Sequence, residues 1–446
     1  MPSQFYDPAK KTILYFPGWS GGNGGWTIKC GRITSKCRST ICPNQDLLVE
    51  SWVADGWNVG FFYWDQLADE SCTRDAEQKV WMDRGGAGLR WKYYMPWSNE
   101  YDFAFLKNYS SVAAICADTI STVMAGYVGP HVRFVGHSLG AQLATKCADM
   151  LHGQGHEAAP HRLALLEPFF TTVHLSLFHC SSLDLEPQVG EALPHMTASI
   201  VKSLWEAHHV ATEVYKSSEL TAARVGGMKN ELLLGNPARQ LDAFSTLVHY
   251  EPDWCGGLLP IGGFLDQFGH LECRHCAVFP FYFLQYGRSP PRLSAGEMIL
   301  RTCPTPASSC LDTEIQELVE RQHLVQGTQS WSQIGGRDTF DVGDDTFQLR
   351  GLGGFIPVET STTTRTIVPT TTTTTTVTTA RTKLEASSAS DALVTWSVIG
   401  FAIAAICFVY YFLSLRRVNL RYSEFDSEDE YTPGSTRSTP RAVAQE

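Results

Sequence analysis

The chain has 446 residues, of which 43% are apolar, 11% aromatic and 18% charged. Its 35 Lys and Arg residues against 46 Asp and Glu residues leave a formal net charge of −11, and no local basic run is present to neutralise a phosphate backbone. Nucleic-acid binding is therefore excluded. The apolar and aromatic content is sufficient for a buried core, so a wholly disordered chain is excluded as well.

Short apolar runs alternate with helical stretches over residues 11–170. Continuous apolar runs of this length are typical of strands in a parallel sheet that is covered on both faces. Four runs fit: Thr12–Phe16, Asn58–Trp64, Val132–Gly136 and Arg162–Glu167. Between them, apolar residues recur every three or four positions, as in Asp102–Gly126, which predicts helices. The alternation predicts βαβ units, hence an α/β fold with a mostly parallel central sheet.

A G-x-S-x-G pattern follows the third of these runs. Gly136-His137-Ser138-Leu139-Gly140 connects the predicted strand to `AQLATKCADML`, a good helix former. A serine at such a turn exposes its hydroxyl, and the helix N-terminus favours a developing negative charge. Ser138 is therefore predicted to be a nucleophile, with an incidental turn serine as the alternative. The backbone directs His137 away from Ser138, so we interpret it as a packing residue.

A nucleophilic serine needs a base and an orienting acid, expected here in the order serine, acid, histidine. Glu167 follows the next apolar strand and is the predicted acid, although a carboxylate that caps a loop is the alternative. Asp149 and Asp184 are lesser candidates. Fourteen histidines compete for the role of base, and the pattern alone does not choose among them.

Four stretches, in order, resemble motifs of the pancreatic-type lipases, a family that includes triacylglycerol lipases, lipoprotein-type lipases and sn-1 phospholipases. They are `FVGHSLGAQLA`, `LLEPFF`, `LDAFSTLVHYEPD` and `LECRHCAVFPFYF`, and the similarity covers residues 11 to about 290. The resemblance implies an α/β-hydrolase fold and identifies His275, rather than His249 or His270, as the base. It implies a serine esterase that needs no metal or organic cofactor.

The stretch `LYFPGW` is similar to the end of the first strand in that family. The resemblance implies that the backbone N–H groups of Trp19 and Leu139 form the oxyanion hole. Each such donor stabilises a transition state by about 3 kcal/mol. The alternative is that Gly18–Trp26 is an ordinary glycine-rich loop.

The sequence also departs from the family. Glu167 stands where the family has Asp, and about 50 extra residues, Ser182–Asn236, follow it. This segment has an amphipathic helical pattern with Trp205 and Tyr215, which predicts a helical cap over the site. The family's lid lies between paired cysteines, so the resemblance implies a Cys255–Cys273 disulfide around a short lid. A short lid favours phospholipids or general esters over triacylglycerols as substrates.

Twelve of the 13 cysteines precede residue 311. This density predicts disulfides and an oxidising compartment. Cys273, His275 and Cys276 also raise the alternative of a zinc site, but no second cluster completes one at the usual spacing.

A stalk, a membrane helix and a tail are predicted after the catalytic domain, which we place at residues 1–340. Residues 341–391 include 15 threonines among positions 360–382, which predicts an extended stalk. Residues 392–415 carry no charge and would span roughly 36 Å as a helix, enough to cross a bilayer. Three arginines follow, which predicts that residues 416–446 are a disordered cytoplasmic tail.

The predicted topology places the catalytic domain outside the cell or in a lumen, and the sequon at Asn108 is compatible with that. The first residues do not form a secretory signal, so either the true start is missing or the chain is tail-anchored with its enzyme in the cytosol. In the tail, Tyr422 and Phe425 resemble a sorting signal read by clathrin adaptors, with a merely solvated tail as the alternative.

The sequence thus predicts a membrane-anchored serine hydrolase that cleaves carboxylic esters of lipids. A binding or receptor-like ectodomain that keeps the fold without turnover is the alternative from another class. A peptidase or an acyltransferase would use the same three residues.

Overall fold

A computed structural model describes the first of two units into which the chain divides, Met1–Glu359 and Thr360–Glu446. The described residues are 6–19, 27–29, 32–34, 48–70, 73–82, 88–95, 97–98, 100–170, 187–218, 224–225, 228–229, 244–255, 264–286, 292–293, 308, 310–325, 329–339 and 341–351. The predicted membrane helix and the tail, with Tyr422 and Phe425, lie outside them. Within the described residues, no helix is long and apolar enough to cross a bilayer.

Helices and strands alternate along most of the chain. The helices are α1 (Glu50–Ala54), α2 (Asp65–Ala68), α3 (Thr73–Trp81), α4 (Val112–Val123), α5 (Leu139–Gly153), α6 (Pro187–His208), α7 (Phe264–Gln285) and α8 (Asp312–Val325), with a 3₁₀ turn at Asp253–Cys255. The strands are β1 (Thr12–Phe16), β2 (Thr27–Lys29), β3 (Arg32–Thr34), β4 (Asn58–Phe61), β5 (Leu89–Met95), β6 (Glu100–Leu106), β7 (Val132–His137), β8 (Arg162–Leu166), β9 (Ala211–Lys216), β10 (Arg224–Val225), β11 (Met228–Lys229), β12 (Thr246–His249), β13 (Arg292–Leu293), β14 (Gln329–Gly335) and β15 (Thr346–Gly351).

The described strands form one large sheet and three small two-stranded sheets. The large sheet has the order β13-β15-β14-β12-β9-β8-β7-β1-β4, and every pair in it is parallel except β14 with β15. The predicted α/β class and the mostly parallel sheet are confirmed. The apolar runs at β1, β4, β7 and β8 form strands as predicted, whereas Asp102–Gly126 contains part of β6 as well as α4.

The central strands are covered on both faces. Every residue of β7 and β8 is buried, because helices pack on each side of the sheet. One apolar cluster contains residues of α4, α5 and α6, and a second contains residues of α1 and α7. A Cys116–Cys147 disulfide joins α4 to α5 inside the first cluster. This packing holds the carboxyl ends of β1, β7, β8 and β9 at one edge of the sheet.

The predicted cap helix is shorter than its sequence pattern in the part of Ser182–Asn236 that the structure describes, because it ends at His208. Helix α6 packs with Leu204 and Trp205 in the cluster that also contains α5, so this part of it covers the sheet. Tyr215, which was assigned to the cap helix, is a fully buried residue of β9. The segment is therefore a βαβ crossover that adds a central strand.

The folded domain also extends past the predicted boundary at residue 340. Strand β15 pairs with β14 over Thr346–Gly351, so the first residues assigned to the stalk belong to the sheet. Of the predicted stalk, only residues 341–351 are described, and the remainder stays a prediction.

Asp345, which is 2% exposed, couples the stability of this sheet edge to pH. Burial, together with the neighbouring charges of Asp344 and Asp341, raises the pKa of Asp345 from 3.8 to about 8, although Gln333 donates a hydrogen bond to it. A raised pKa means that the folded state holds the proton more tightly than the unfolded state. The corresponding stability is complete below about pH 4 and is lost as the pH rises towards 8.

We therefore expect Asp345→Asn to stabilise the domain at pH 8 by about 5 kcal/mol, because the amide cannot ionise and each of the roughly four pKa units corresponds to about 1.4 kcal/mol. At pH 4 the variant and the wild type should unfold at the same temperature. Thermal unfolding at both pH values measures this. Asp118→Asn, at an exposed carboxyl on α4, is the control, and a lower stability of Asp345→Asn at pH 8 would contradict the assignment.

Candidate active site

Ser138 lies at the turn between β7 and α5. Helix α5 begins at Leu139, directly after the serine. The backbone of Ser138 has φ 57° and ψ −125°, which residues other than glycine rarely adopt. Strain of this kind costs about 1–3 kcal/mol and is concentrated at functional sites. The turn places the serine where the partial positive charge of a helix N-terminus favours an anion.

Glycines on either side of Ser138 allow the turn to pack tightly. A β-carbon on Gly136 would lie 2.6 Å from the α-carbon of Ala141. One on Gly140 would clash with the carbonyl oxygens of Phe16 and Pro17, the second at 2.5 Å. The glycines of the G-x-S-x-G pattern are therefore required by close contact between the turn, α5 and the end of β1.

We expect Gly140→Ala to lower the free energy of unfolding by about 2–3 kcal/mol, because backbone atoms of β1 must move to admit the methyl group. The matched control is Gly153→Ala at the end of the same helix, where a β-carbon would meet no atom within 4 Å. The control should be neutral or stabilising by up to about 1 kcal/mol. Thermal unfolding of both variants is the measurement, and equal stabilities would contradict the tight turn.

Glu167 follows β8 directly and is fully buried. Its Oε1 atom accepts hydrogen bonds from the backbone N–H groups of Ser217 and Ser218, the latter at 2.8 Å. Its Oε2 atom accepts from the Ser218 hydroxyl and faces Nδ1 of His275 at 3.1 Å. These donors compensate for the cost of burying a carboxylate and hold its orientation.

His275 lies on α7, and its side chain is 14% exposed. The carboxylate of Glu167 can only accept a hydrogen bond, so Nδ1 of His275 carries the proton and Nε2 keeps its lone pair. This is the tautomer that a general base needs. His275 lies near the middle of this helix, Phe264–Gln285.

His137, predicted to be a packing residue, is buried and links the serine turn to His275, the predicted base. Its Nε2–H donates to the backbone carbonyl of His275 at 2.8 Å, and the two ring centroids are 4.8 Å apart. Burial and the proximity of His275 lower the pKa of His137 from 6.5 to about 3. His137 is therefore a neutral donor that fixes the backbone of His275 beside Ser138.

Ser138 and His275 are both described residues, and no hydrogen bond joins their side chains. Contacts between a nucleophile and its base are often long in a free enzyme and shorten when substrate binds. The predicted nucleophile, acid and base nevertheless lie at one edge of the sheet, since Ser138 donates its N–H to Leu166, the residue before Glu167, and Glu167 contacts His275.

The end of β1 lies against Ser138, the predicted nucleophile. A β-carbon on Gly18 would be 2.7 Å from Cβ and 3.2 Å from Oγ of Ser138. Trp19 is the next residue, and its indole N–H donates to the carbonyl of Glu70 at 2.8 Å. The two predicted oxyanion donors, on Trp19 and Leu139, thus belong to segments that flank Ser138.

The cysteines around His275 form disulfides. Cys255 is bonded to Cys273, as the resemblance implied, and Cys276 is disulfide-bonded too. Neither Cys273 nor Cys276 has a free thiolate, which disfavours the zinc alternative at this motif. Residues 256–263, eight of the 17 residues between the two cysteines, lie outside the described residues, and the other nine belong to α7.

The lesser candidates do not join the site. Asp149 forms an ion pair with Lys146 on the surface of α5, at 2.7 Å. His249 ends β12, and among the described histidines it is His275 that contacts Glu167. Asp184 lies outside the described residues. Ser217 and Ser218 were missed, because they follow a strand that the sequence pattern presented as a helix.

The comparisons with known proteins assign no family to this arrangement, since no protein-family model and no curated protein sequence matches the chain.

Proposed function

We propose that the chain is a membrane-tethered serine hydrolase that cleaves carboxylic esters of lipids. The observation that carries the proposal is the contact between buried Glu167 and Nδ1 of His275 beside a serine in a strained strand-to-helix turn. Along the chain, the nucleophile Ser138 comes first, the acid Glu167 second and the base His275 third. This is the order in the α/β-hydrolase fold, to which we assign the domain.

In the proposed mechanism, Ser138 Oγ attacks the ester carbonyl while Nε2 of His275 takes its proton. Glu167 holds the imidazole in the required tautomer and stabilises its cationic form. The Trp19 and Leu139 N–H groups stabilise the oxyanion of the tetrahedral intermediate. His275 then returns the proton to the leaving alcohol as the intermediate collapses to an acyl-enzyme.

Water completes the cycle. His275 takes a proton from a water molecule, which attacks the acyl carbonyl, and the fatty acid leaves as Ser138 regains its proton. Each bond formed or broken involves only the ester, water and these side chains. The mechanism therefore calls for no cofactor.

Three further features of the proposal come from the sequence. The motifs that resemble pancreatic-type lipases, together with the short Cys255–Cys273 loop, favour phospholipids or general lipid esters as substrates. The apolar segment 392–415 tethers the domain to a membrane. The disulfides and the exposed sequon residue Asn108 favour an extracellular or lumenal domain.

The test uses the full chain purified in detergent. A fluorophosphonate probe should label the wild type at Ser138, and the protein should release fatty acid from at least one of phospholipid, galactolipid and triacylglycerol. The lipid class that is hydrolysed fastest then identifies the substrate.

A chain that neither reacts with the probe nor hydrolyses any of the three lipids would overturn the proposal in favour of a non-catalytic binding ectodomain. Turnover of amides, or transfer of the acyl group to an acceptor other than water, would replace it with a peptidase or an acyltransferase.

A further inference from the structure

Strands β5 and β6 form an antiparallel hairpin that is separate from the large sheet. Residues directly opposite each other in such a pair share a face. Tyr94 pairs with Tyr101, Lys92 with Phe103 and Arg90 with Phe105, so one face carries all six side chains.

This face is exposed although it is aromatic. The exposed fractions are 46% for Tyr94, 52% for Tyr101, 42% for Phe103 and 52% for Phe105. Trp97, between the two strands, is 80% exposed. Single exposed apolar residues are ordinary, but five large aromatic side chains on one hairpin form a patch that indicates an interaction surface. We call these five residues the aromatic face.

The two cations beside the aromatic face, Arg90 and Lys92, add little net charge to it. The guanidinium of Arg90 lies 4.4 Å from the ring centroid of Phe103, and the Lys92 ammonium lies 4.8 Å from that of Tyr101. Each cation also has a carboxylate partner: Arg90 pairs with Glu70, which Lys79 shares, and Lys92 pairs with Asp69 at 2.6 Å. A partner recognised by opposite charge is therefore disfavoured. The composition instead suits a boundary between apolar and polar media, where Trp and Tyr are enriched.

The base of the hairpin is fixed to the active-site edge of the sheet. Lys79 Nζ donates to the carbonyls of Leu67 and Arg90, at 2.8 and 2.6 Å, and Leu89 is buried. The carbonyl of Glu70, the residue that pairs with Arg90, accepts the indole N–H of Trp19. The hairpin, and with it the aromatic face, is thus connected by hydrogen bonds and an ion pair to the segment beside Ser138.

The rest of the chain indicates what meets the aromatic face. The described residues end at 351 and the predicted membrane helix begins at 392, which leaves 391 − 351 = 40 residues between them. Forty residues span at most about 140 Å when fully extended, so the domain stays near one bilayer. That bilayer is a boundary between apolar and polar media that stays within reach of the hairpin.

We propose that the aromatic face inserts into the headgroup region of the lipid bilayer that anchors the chain. The hairpin then holds the Ser138 edge of the sheet at the lipid surface. This inference rests on the membrane tether of the proposed function, but not on ester hydrolysis.

The test compares the full-length wild type with Trp97→Phe in vesicles of phosphatidylcholine, either plain or brominated near the headgroup end of the acyl chains. Bromine quenches nearby indole fluorescence. The difference in emission between the two proteins isolates Trp97, because Trp396 and the other tryptophans contribute equally to both. We expect brominated lipid to reduce this difference signal at least twofold.

Trp57→Phe is the matched control, since Trp57 is buried in the protein and its difference signal should be the same in both lipids. A Trp97 signal that brominated lipid leaves unchanged would overturn the proposal. If that unquenched signal also shifted with protein concentration, the partner would be a second copy of the chain. Quenching does not depend on turnover, so its failure is distinguishable from a failure to hydrolyse lipid.

Discussion

Ser138→Ala is expected to lower kcat for ester hydrolysis by a factor on the order of 10⁵–10⁶. The variant keeps the β7–α5 turn but has no oxygen to form the acyl-enzyme. Because the three residues act as a unit, removal of the nucleophile alone should cost about as much as removal of all three. Residual hydrolysis should reflect substrate binding and the oxyanion donors.

The measurement is the initial rate on the best lipid ester, with fluorophosphonate labelling as a second readout. Thermal unfolding should show that Ser138→Ala folds as the wild type does. Ser121→Ala, at a serine on the outer side of α4 that bonds to Gln154, is the matched control and should retain full activity. A Ser138→Ala variant with more than about one hundredth of the wild-type rate would reject Ser138 as the nucleophile.

The central strands that the sequence predicts correctly are those that are both deeply buried and mostly apolar. Strands β1, β7 and β8 are short, mostly apolar runs in the centre of a sheet, which is the pattern of a strand covered on both faces. Strand β9 is as deeply buried, but it contains Thr212 and Glu213. The pairing of Glu213 with Arg162 of β8 makes this burial possible, and that long-range ion pair is invisible in a local pattern.

The candidate site likewise contains residues that local sequence locates and residues that only tertiary packing places. Ser138 and Glu167 each follow an apolar strand, so local sequence locates both at the carboxyl edge of the sheet. His275 lies within a helix whose approach to that edge is set by tertiary packing, and only the resemblance to lipase motifs singled it out. The supporting donors Ser217 and Ser218 were hidden because β9 itself was not predicted. The link from His137 to the carbonyl of His275 likewise depends on packing.

Glu167→Gln tests the acid and should lower kcat by about 10³–10⁴-fold. Oε1 of Glu167 accepts two backbone N–H bonds, so the glutamine must place its oxygen there. Its NH₂ group then faces His275 and donates to Nδ1, which forces the proton onto Nε2. An imidazole in that tautomer has no lone pair with which to take the proton of Ser138, so the loss is in chemistry and not in folding.

Glu167→Asp tests the length of the acid side chain while its charge is kept. It keeps a carboxylate but is one methylene shorter, so it cannot keep both the backbone bonds of Ser217 and Ser218 and the contact with His275. We expect an intermediate loss of about 10–100-fold, because the correct tautomer is still favoured but less firmly held. Asp149→Asn on α5 is the control and should not change the rate. Rates within tenfold of wild type for Glu167→Gln, at unchanged thermal stability, would mean that another group orients the base.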